Sequence, residues 1–387
     1  MRDDAVRQGP LTDVRVLEIG GIGPTPFAGM LLADMGADVL RIERSAAAAV
    51  VPSDDPTRRG RQSIALDLKS ADGREALLAL SERADALIEG FRPGVMERLG
   101  VGPDDVRARN PRLVYGRMTG YGQEGPMSQV AGHDINYISL AGVLGASRRT
   151  GDRPMFALNL VGDYGGGAMF LSFGVVCGIL EARRSGRGQT IDAAMVDGAA
   201  LLTSLVYALR GADLWGEEPG GNLLDSGAHF YEVYATSDGG HVAVGALEPQ
   251  FYARLLALLD LPTEEMPQFD RARWPEFKQR LTDLFARRTA GEWGELLEGE
   301  EACATIVRGV WDAPEHPHMA ARGTFVDVGG ARQPGPAPRF SRTAPAARPP
   351  PDDPDTALER WGLDRSARDR LRAVGALLST TSSPERS

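Results

Sequence analysis

Lysine is almost missing from this 387-residue chain: Lys69 and Lys278 are the only two among 43 basic residues. Any anionic ligand must therefore be held mainly by arginine. Cysteine is as scarce, with only Cys177 and Cys303, which excludes a disulfide framework and a cysteine-rich metal site. Both are expected to be buried thiols in a reducing cytoplasm. Positive charge is in deficit, at a formal net charge of -10. That argues against nucleic-acid binding, which needs a basic face to neutralise phosphates. The start, Met1-Arg2-Asp3-Asp4, has no apolar signal core. The longest apolar helix, about Ala168 to Leu180, reads as too short and too glycine-punctuated to cross a bilayer, so a soluble cytoplasmic protein is expected.

Several chemical signatures are also missing. There is no G-x-S-x-G elbow and no Walker loop. The first βα turn, Gly20-Gly21-Ile22-Gly23-Pro24-Thr25-Pro26, cannot be written as G-x-G-x-x-G, and its prolines remove two donors a pyrophosphate would want. Glu43 stands where a ribose-binding acid would, but an acid there is common, and no nicotinamide or flavin is expected. His316-Pro317-His318 has no acid nearby beyond Glu315 and is not read as a metal site. His229 and His241 read as structural or exposed.

What is present begins with alternation. Strand-like runs at 14–19, 37–44, 63–68, 84–90 and 113–119 are separated by helical segments at 25–35 and 71–82, with Pro93 placed to open another. Such βαβ alternation predicts an α/β fold with a parallel sheet and helices on both faces. From Asp163 the pattern changes to long helices, through Glu181 and then from Asp192 to Arg210. The length suggests two domains. The first occupies 1–210; 211–228, rich in Gly, Asp and Glu, is a linker; 229–325 is a smaller α+β domain. That second domain opens with a hairpin around Ser237-Asp238-Gly239-Gly240, and helices follow at about 249–259, 274–288 and 292–302. Residues 326–387 begin as a proline-rich connector, Pro334 to Asp355, and end in a disordered tail from Ser379.

Two glycine-set motifs carry the chemistry: Gly132-His133-Asp134-Ile135-Asn136-Tyr137 and Asn159-Leu160-Val161-Gly162-Asp163-Tyr164-Gly165-Gly166-Gly167. They supply two proton-transfer groups of different type. Histidine titrates near neutrality, and aspartate can be tuned toward it by burial. Set on opposite faces of one carbon, such a pair could remove a proton from one side and return it from the other, as in a cofactor-independent racemase. Asp134 and Asn136 could fix the His133 tautomer and position. Asp163 reads as a helix N-cap, where free N–H groups favour negative charge. Glu248 reads as a further capping acid. Arg44, Arg58, Arg59, Arg61, Arg92 and Arg98 fall at or beyond strand ends, where an open α/β sheet collects ligands, and guanidinium forks suit phosphates.

In order along the chain, Gly36-Ala37-Asp38-Val39, Phe91-Arg92-Pro93-Gly94-Val95, the two motifs above, Gly186-Arg187-Gly188-Gln189, Val244-Gly245-Ala246-Leu247-Glu248-Pro249-Gln250 and Ala337-Pro338-Arg339-Phe340-Ser341-Arg342 resemble those of the α-methylacyl-CoA racemases, within the formyl-CoA transferase-like (family III) CoA-transferases. The resemblance runs from Gly9 to about Arg342. It implies a Rossmann-like large domain made discontinuous by the return segment, and a small domain. Two chains would interlock as a homodimer with the active site at the subunit interface. It implies no cofactor, coenzyme A being part of the acyl-CoA substrate, and no metal. His133, Asp163, Asn159 and Glu248 would be catalytic. His133 would be the base for the S epimer and Asp163 for the R, with Asn159 on Asp163 and Glu248 orienting His133 from the other chain. Arg44 and Arg98, with Arg58 and Arg59 as further candidates, would hold coenzyme A. Asp134, Tyr137 and Gly162 would line the substrate. Enolate-stabilising N–H groups are expected from the Gly162–Gly167 turn. The alternative within the fold is a CoA-transferase that uses Asp163 as nucleophile; it needs no histidine at 133. Ala46–Val51 is a low-complexity insertion beside Arg44.

Overall fold

Short β-branched and leucine-rich runs, bounded by glycine or polar turns, become the strands of the first half. The computed structural model describes residues 7–44, 55–351 and 353–378. The Ala46–Val51 insertion and the tail from Ser379 lie outside them.

The strands are β1 (Arg15–Ile19), β2 (Asp38–Glu43), β3 (Gln62–Leu66), β4 (Ala86–Glu89), β5 (Val114–Thr119) and β6 (Thr190–Ala194). Next come β7 (Tyr231–Ala235), β8 (His241–Gly245), β9 (Ala304–Ile306), β10 (Phe325–Val328), β11 (Ala331–Pro334) and β12 (Leu377–Leu378). The main sheet runs β12-β3-β2-β1-β4-β5-β6. β1 to β6 are parallel, and β12 closes the β3 edge antiparallel. Parallel strands are covered on both faces. One face packs Leu17, Leu40, Ile64, Leu87 and Tyr115 against the helix Ala71–Ser81 and the C-terminal Leu358, Trp361 and Leu371. The other packs Val16, Val39, Ile88 and Val114 against the helices Pro24–Asp34 and Met169–Ser185. Ser70 caps the Ala71 helix, its hydroxyl accepting the Gly73 N–H at 3.0 Å, as a helix start requires.

The chain divides into two compact units. The first comprises residues up to Ala141, Ala157–Leu202 and Pro317 onward; the second comprises Gly142–Phe156 and Thr203–His316. From sequence alone, residues 142–156 and 203–210 are expected in the first domain. The structure assigns them to the second, where Arg149 reaches Glu232 at 2.7 Å. One further expectation changes. Thr190–Ala194 is strand β6 rather than the lead-in to a helix. The stretch beyond Asp352 is folded, with helices Pro354–Arg360 and Arg365–Ala373 covering one face of the sheet. The apolar helix is also longer than expected: Leu160–Ser185 runs 26 residues and by length and composition alone could cross a membrane. Here Leu171, Val175, Ile179 and Ala182 on it pack in the core.

In the second unit β7-β8-β9 form an antiparallel sheet, with Gly239 at φ 80 in the β7–β8 turn. Helices Pro249–Leu258, Trp274–Phe285 and Ala290–Leu297 cover it. His229 lies in this core, edge-on to Phe230, Tyr252 and Phe277. The Tyr252 hydroxyl donates to the Met266 carbonyl at 2.9 Å, so the His229 Nε2, 2.7 Å away, must donate to the Tyr252 oxygen. Nδ1 then carries no proton and meets no partner among the described residues. Burial, with the Lys278 charge adding, pushes the His229 pKa down to about 4. The neutral ring therefore contributes stability above about pH 6.5, lost as pH falls through 4 and amounting to about 3 kcal/mol. Denaturant titrations at pH 7 and pH 4.5 should show this loss, and His229→Phe should flatten the slope.

Candidate active site

The second glycine-set motif does not begin as an ordinary helix. Leu160–Ala168 is a π-helix that continues into Met169–Ser185, a rare wide-turned form that is frequent at functional sites. Its geometry has two local causes. Asp134, 5% exposed, accepts the Gly162 N–H at 2.7 Å and the Asp163 N–H at 3.1 Å. On the other side the helix Met195–Leu202 crosses so closely that a Cβ on Gly198 would lie 1.9 Å from the Gly166 carbonyl oxygen. Only glycine at 198 allows that approach.

Asp163 is thus inside the π-helix, not an N-cap. Its Oδ2 accepts the Asn159 Nδ2–H at 3.1 Å. Gly23, in the loop after β1, comes close enough that a Cβ there would meet the same oxygen at 3.4 Å. Burial raises the Asp163 pKa; the Asn159 hydrogen bond opposes this, the Asp134 carboxylate adds to it, and the His133 charge lowers it. A carboxyl moved toward neutrality, beside a histidine, is suited to taking and giving protons. His133 is exposed at the start of the helix Asp134–Leu140, with its backbone N–H bonded to the Asn136 side chain at 3.1 Å.

Several sequence-predicted residues are engaged within the fold. Asp134 makes no hydrogen bond to the imidazole; it is buried and secures the π-helix. Asn136 holds the His133 backbone rather than the ring. The N–H groups of Gly162 and Asp163 are committed to Asp134, so neither is free for an enolate oxygen. Tyr137 is buried, its hydroxyl donating to the Gly132 carbonyl and its ring edge-on to Tyr121. Arg59 is buried against Asp34 at 2.5 Å, with Gln333 and the Pro334 carbonyl as further acceptors. That spends its guanidinium on the fold. Arg61 is buried on Glu18, and Arg58 pairs with Glu43 at 3.0 Å. Arg44, Arg92 and Arg98 remain exposed. No group of His, Cys, Asp and Glu suited to a metal occurs among the described residues. Buried arginines facing glutamates inside a sheet were not readable from the sequence, because hydrophobic periodicity carries no signal for paired charges.

In the second unit, Glu248 precedes the helix Pro249–Leu258. It is exposed, and its carboxylate makes no hydrogen bond or ion pair among the described residues, while its backbone carbonyl accepts the Tyr252 N–H at 3.0 Å. Cys303 lies near enough for burial and then the Glu248 charge to raise its pKa. Both cysteines are exposed, against expectation. Cys177 shares the outward side of its helix with Phe173 and Leu180, 69% and 72% exposed, and Cys303 borders an open concavity of about 980 Å³ with Arg149, Trp215 and Tyr231.

Residues 11–356 match CoA-transferase family III. The chain is 44% identical to the alpha-methylacyl-CoA racemase of Mus musculus, covering 90% of this chain and 92% of that one. It is 40% identical to the alpha-methylacyl-CoA racemase of Homo sapiens, covering 92% and 94%. The crystal structure of Rv3272 from Mycobacterium tuberculosis superposes with a TM-score of 0.75 at 28% identity, over 91% of this chain and 99% of that one.

Proposed function

The chain belongs to CoA-transferase family III, and from that premise we propose that it is an isomerase interconverting (2R)- and (2S)-2-methylacyl-CoA thioesters. The similarity to the two racemases over most of the chain supports this. The observation that carries it is the Asp163 carboxyl, raised by burial, lying within electrostatic reach of His133 on an adjoining element.

A thioester acidifies its α-hydrogen only modestly, so the reaction passes through an enolate. In one direction His133 takes the α-proton of the S epimer and Asp163 returns a proton to the opposite face; in the other the roles reverse. Asn159 holds the Asp163 carboxyl in place. No redox step occurs and no cofactor is required. Two chains form a homodimer in which Glu248 of a second copy orients His133. The uncommitted Glu248 carboxylate and the exposed Phe173 and Leu180 face support that assembly. A transferase would instead attack the thioester with Asp163, and the histidine beside it favours proton transfer.

The test is α-proton exchange of (2S)-2-methyldecanoyl-CoA in D₂O, followed by NMR and chiral analysis. Deuterium uptake with racemisation is expected. His133→Ala should lower exchange from the S epimer by at least about 100-fold. Wild-type protein that exchanges no proton but moves coenzyme A to free carboxylic acids would establish the transferase instead.

A further inference from the structure

A buried carboxylate with no part in the proton transfer stands at the end of β4, beside the point where the strand order reverses between β1 and β4. Glu89 is 0% exposed. It accepts the Phe91 N–H at 2.6 Å and the Arg117 Nε–H at 3.1 Å, Arg117 being its direct neighbour on β5. The other end of the same guanidinium donates to both Glu97 oxygens, at 2.7 and 3.2 Å. Glu97 sits on the short helix Val95–Arg98. One arginine thus ties both ends of the 89–98 loop. We propose that Glu89, Arg117 and Glu97 form a clamp that presents Arg92 and Arg98 to the phosphates of coenzyme A, with Glu89 as the positioning residue. The inference rests on the reading of an acyl-CoA substrate.

The loop has the features of a prepared anion site rather than a packing element. Arg92 and Arg98 are exposed and form no ion pair among the described residues. Gly94 turns the chain at φ 82, and Arg98 folds back to within 3.0 Å of where a Cβ on Gly94 would stand. The loop is also joined to the catalytic segment. The Pro93 carbonyl accepts the Gln129 side-chain N–H at 3.3 Å, and the Arg92 charge reaches Tyr137, which is bonded to Gly132 beside His133. Ordering two long cations at the moment of binding costs conformational entropy. A clamp that orders their backbone beforehand removes part of that cost.

The clamp also has a charge imbalance. One guanidinium serves two carboxylates, while Tyr115 of β5 and Asp105 of the helix Pro103–Arg109 bring no further cation. Burial pushes the Glu89 pKa up to about 7, against the Phe91 N–H and Arg117. Above that value the ionised carboxylate grips both donors strongly; below it the protonated acid is a weaker acceptor. The KM for the thioester should therefore fall as pH rises through 7.

The experiment measures coenzyme A binding by calorimetry, and kcat and KM for 2-methyldecanoyl-CoA, at pH 6, 7 and 8. Wild type is compared with Glu89→Gln, Glu97→Gln and Glu97→Asp. Glu89→Gln should raise Kd and KM about tenfold at pH 8, leave kcat within about twofold, and flatten the pH dependence of KM. Glu97→Gln, at an exposed position, should act in the same direction, and Glu97→Asp should recover most of the loss. Wild type that binds coenzyme A while Kd and KM stay unchanged in folded variants overturns the clamp alone. A fall in kcat at constant KM also overturns it. Should Glu89→Gln fail to fold, Glu97→Gln decides on the same criteria. Wild type that binds no coenzyme A overturns the substrate reading and the clamp with it.

Discussion

Asp163→Asn should abolish racemisation, by at least about 1,000-fold in kcat, and yet melt at a higher temperature than wild type at pH 7.5. The first effect follows because each turnover needs a proton donor or acceptor on that face of the α-carbon, and an amide is neither at these pH values. Exchange should fail selectively. The R epimer should take up no deuterium, whereas the S epimer should still exchange through His133 with retained configuration. NMR in D₂O with chiral analysis separates the two. The second effect follows from the direction of the Asp163 shift. Its folded pKa is raised, by burial first and by Asp134 in addition. A raised carboxyl contributes stability that is fully present below its unfolded value and is lost as pH rises through the folded one. At neutral pH the ionised side chain is a cost that asparagine does not bear, while the Asn159 contact can persist. Melting curves at pH 7.5 and pH 4 should show the gap closing in acid. A variant less stable than wild type at both values would refute the account.

Asp134→Ala should be the next most damaging change, though the residue touches no substrate in the proposed mechanism. Removing it leaves the Gly162 and Asp163 N–H groups buried without an acceptor. Hydrogen bonds to a charged group are worth about 1.5–3 kcal/mol each, so a stability loss of about 3 kcal/mol is expected in urea. With the π-helix no longer held, kcat should fall about 100-fold. The variant also carries a distinguishing pH signature. Asp134 is one of the causes that raise Asp163, so its loss lowers the Asp163 pKa and moves the acid limb of the residual activity to lower pH. A purely structural loss would reduce the rate without moving that limb.

The parallel strands were legible because each is a short apolar run set off by glycine or polar turns, and β1 to β5 begin and end within a few residues of where hydrophobicity places them. β6 was not, because Thr190-Ile191-Asp192-Ala193-Ala194 carries an acid in mid-strand and alanines that suit a helix equally. Its strand state comes from pairing with β5, a long-range contact without a local signal. The same holds for three-residue β9. The site shows a similar division. His133 and Asp163 stood out by residue type and glycine setting. That Asp134 serves Gly162 and Asp163 depends on a separation of 28 and 29 residues, which no local pattern encodes. The partners of Arg59 were not legible for a physical reason: an unpaired guanidinium and a buried bidentate one look identical in sequence, and only the fold brings Asp34, Gln333 and Pro334 to it.

The order in which this chain is made bears on how it can fold. A ribosome releases the Arg59–Asp34 pair early, but the Gln333 and Pro334 acceptors that complete its burial emerge some 270 residues later. The β3 edge stays open longer still, until Leu377 arrives to pair with Leu66. Until residues 333 and 334 emerge the nascent sheet therefore carries both an unfinished edge and an ion pair without its full set of partners, and after that the unfinished edge alone. Premature termination anywhere before the last strand would release a chain with that edge ready to join another such chain.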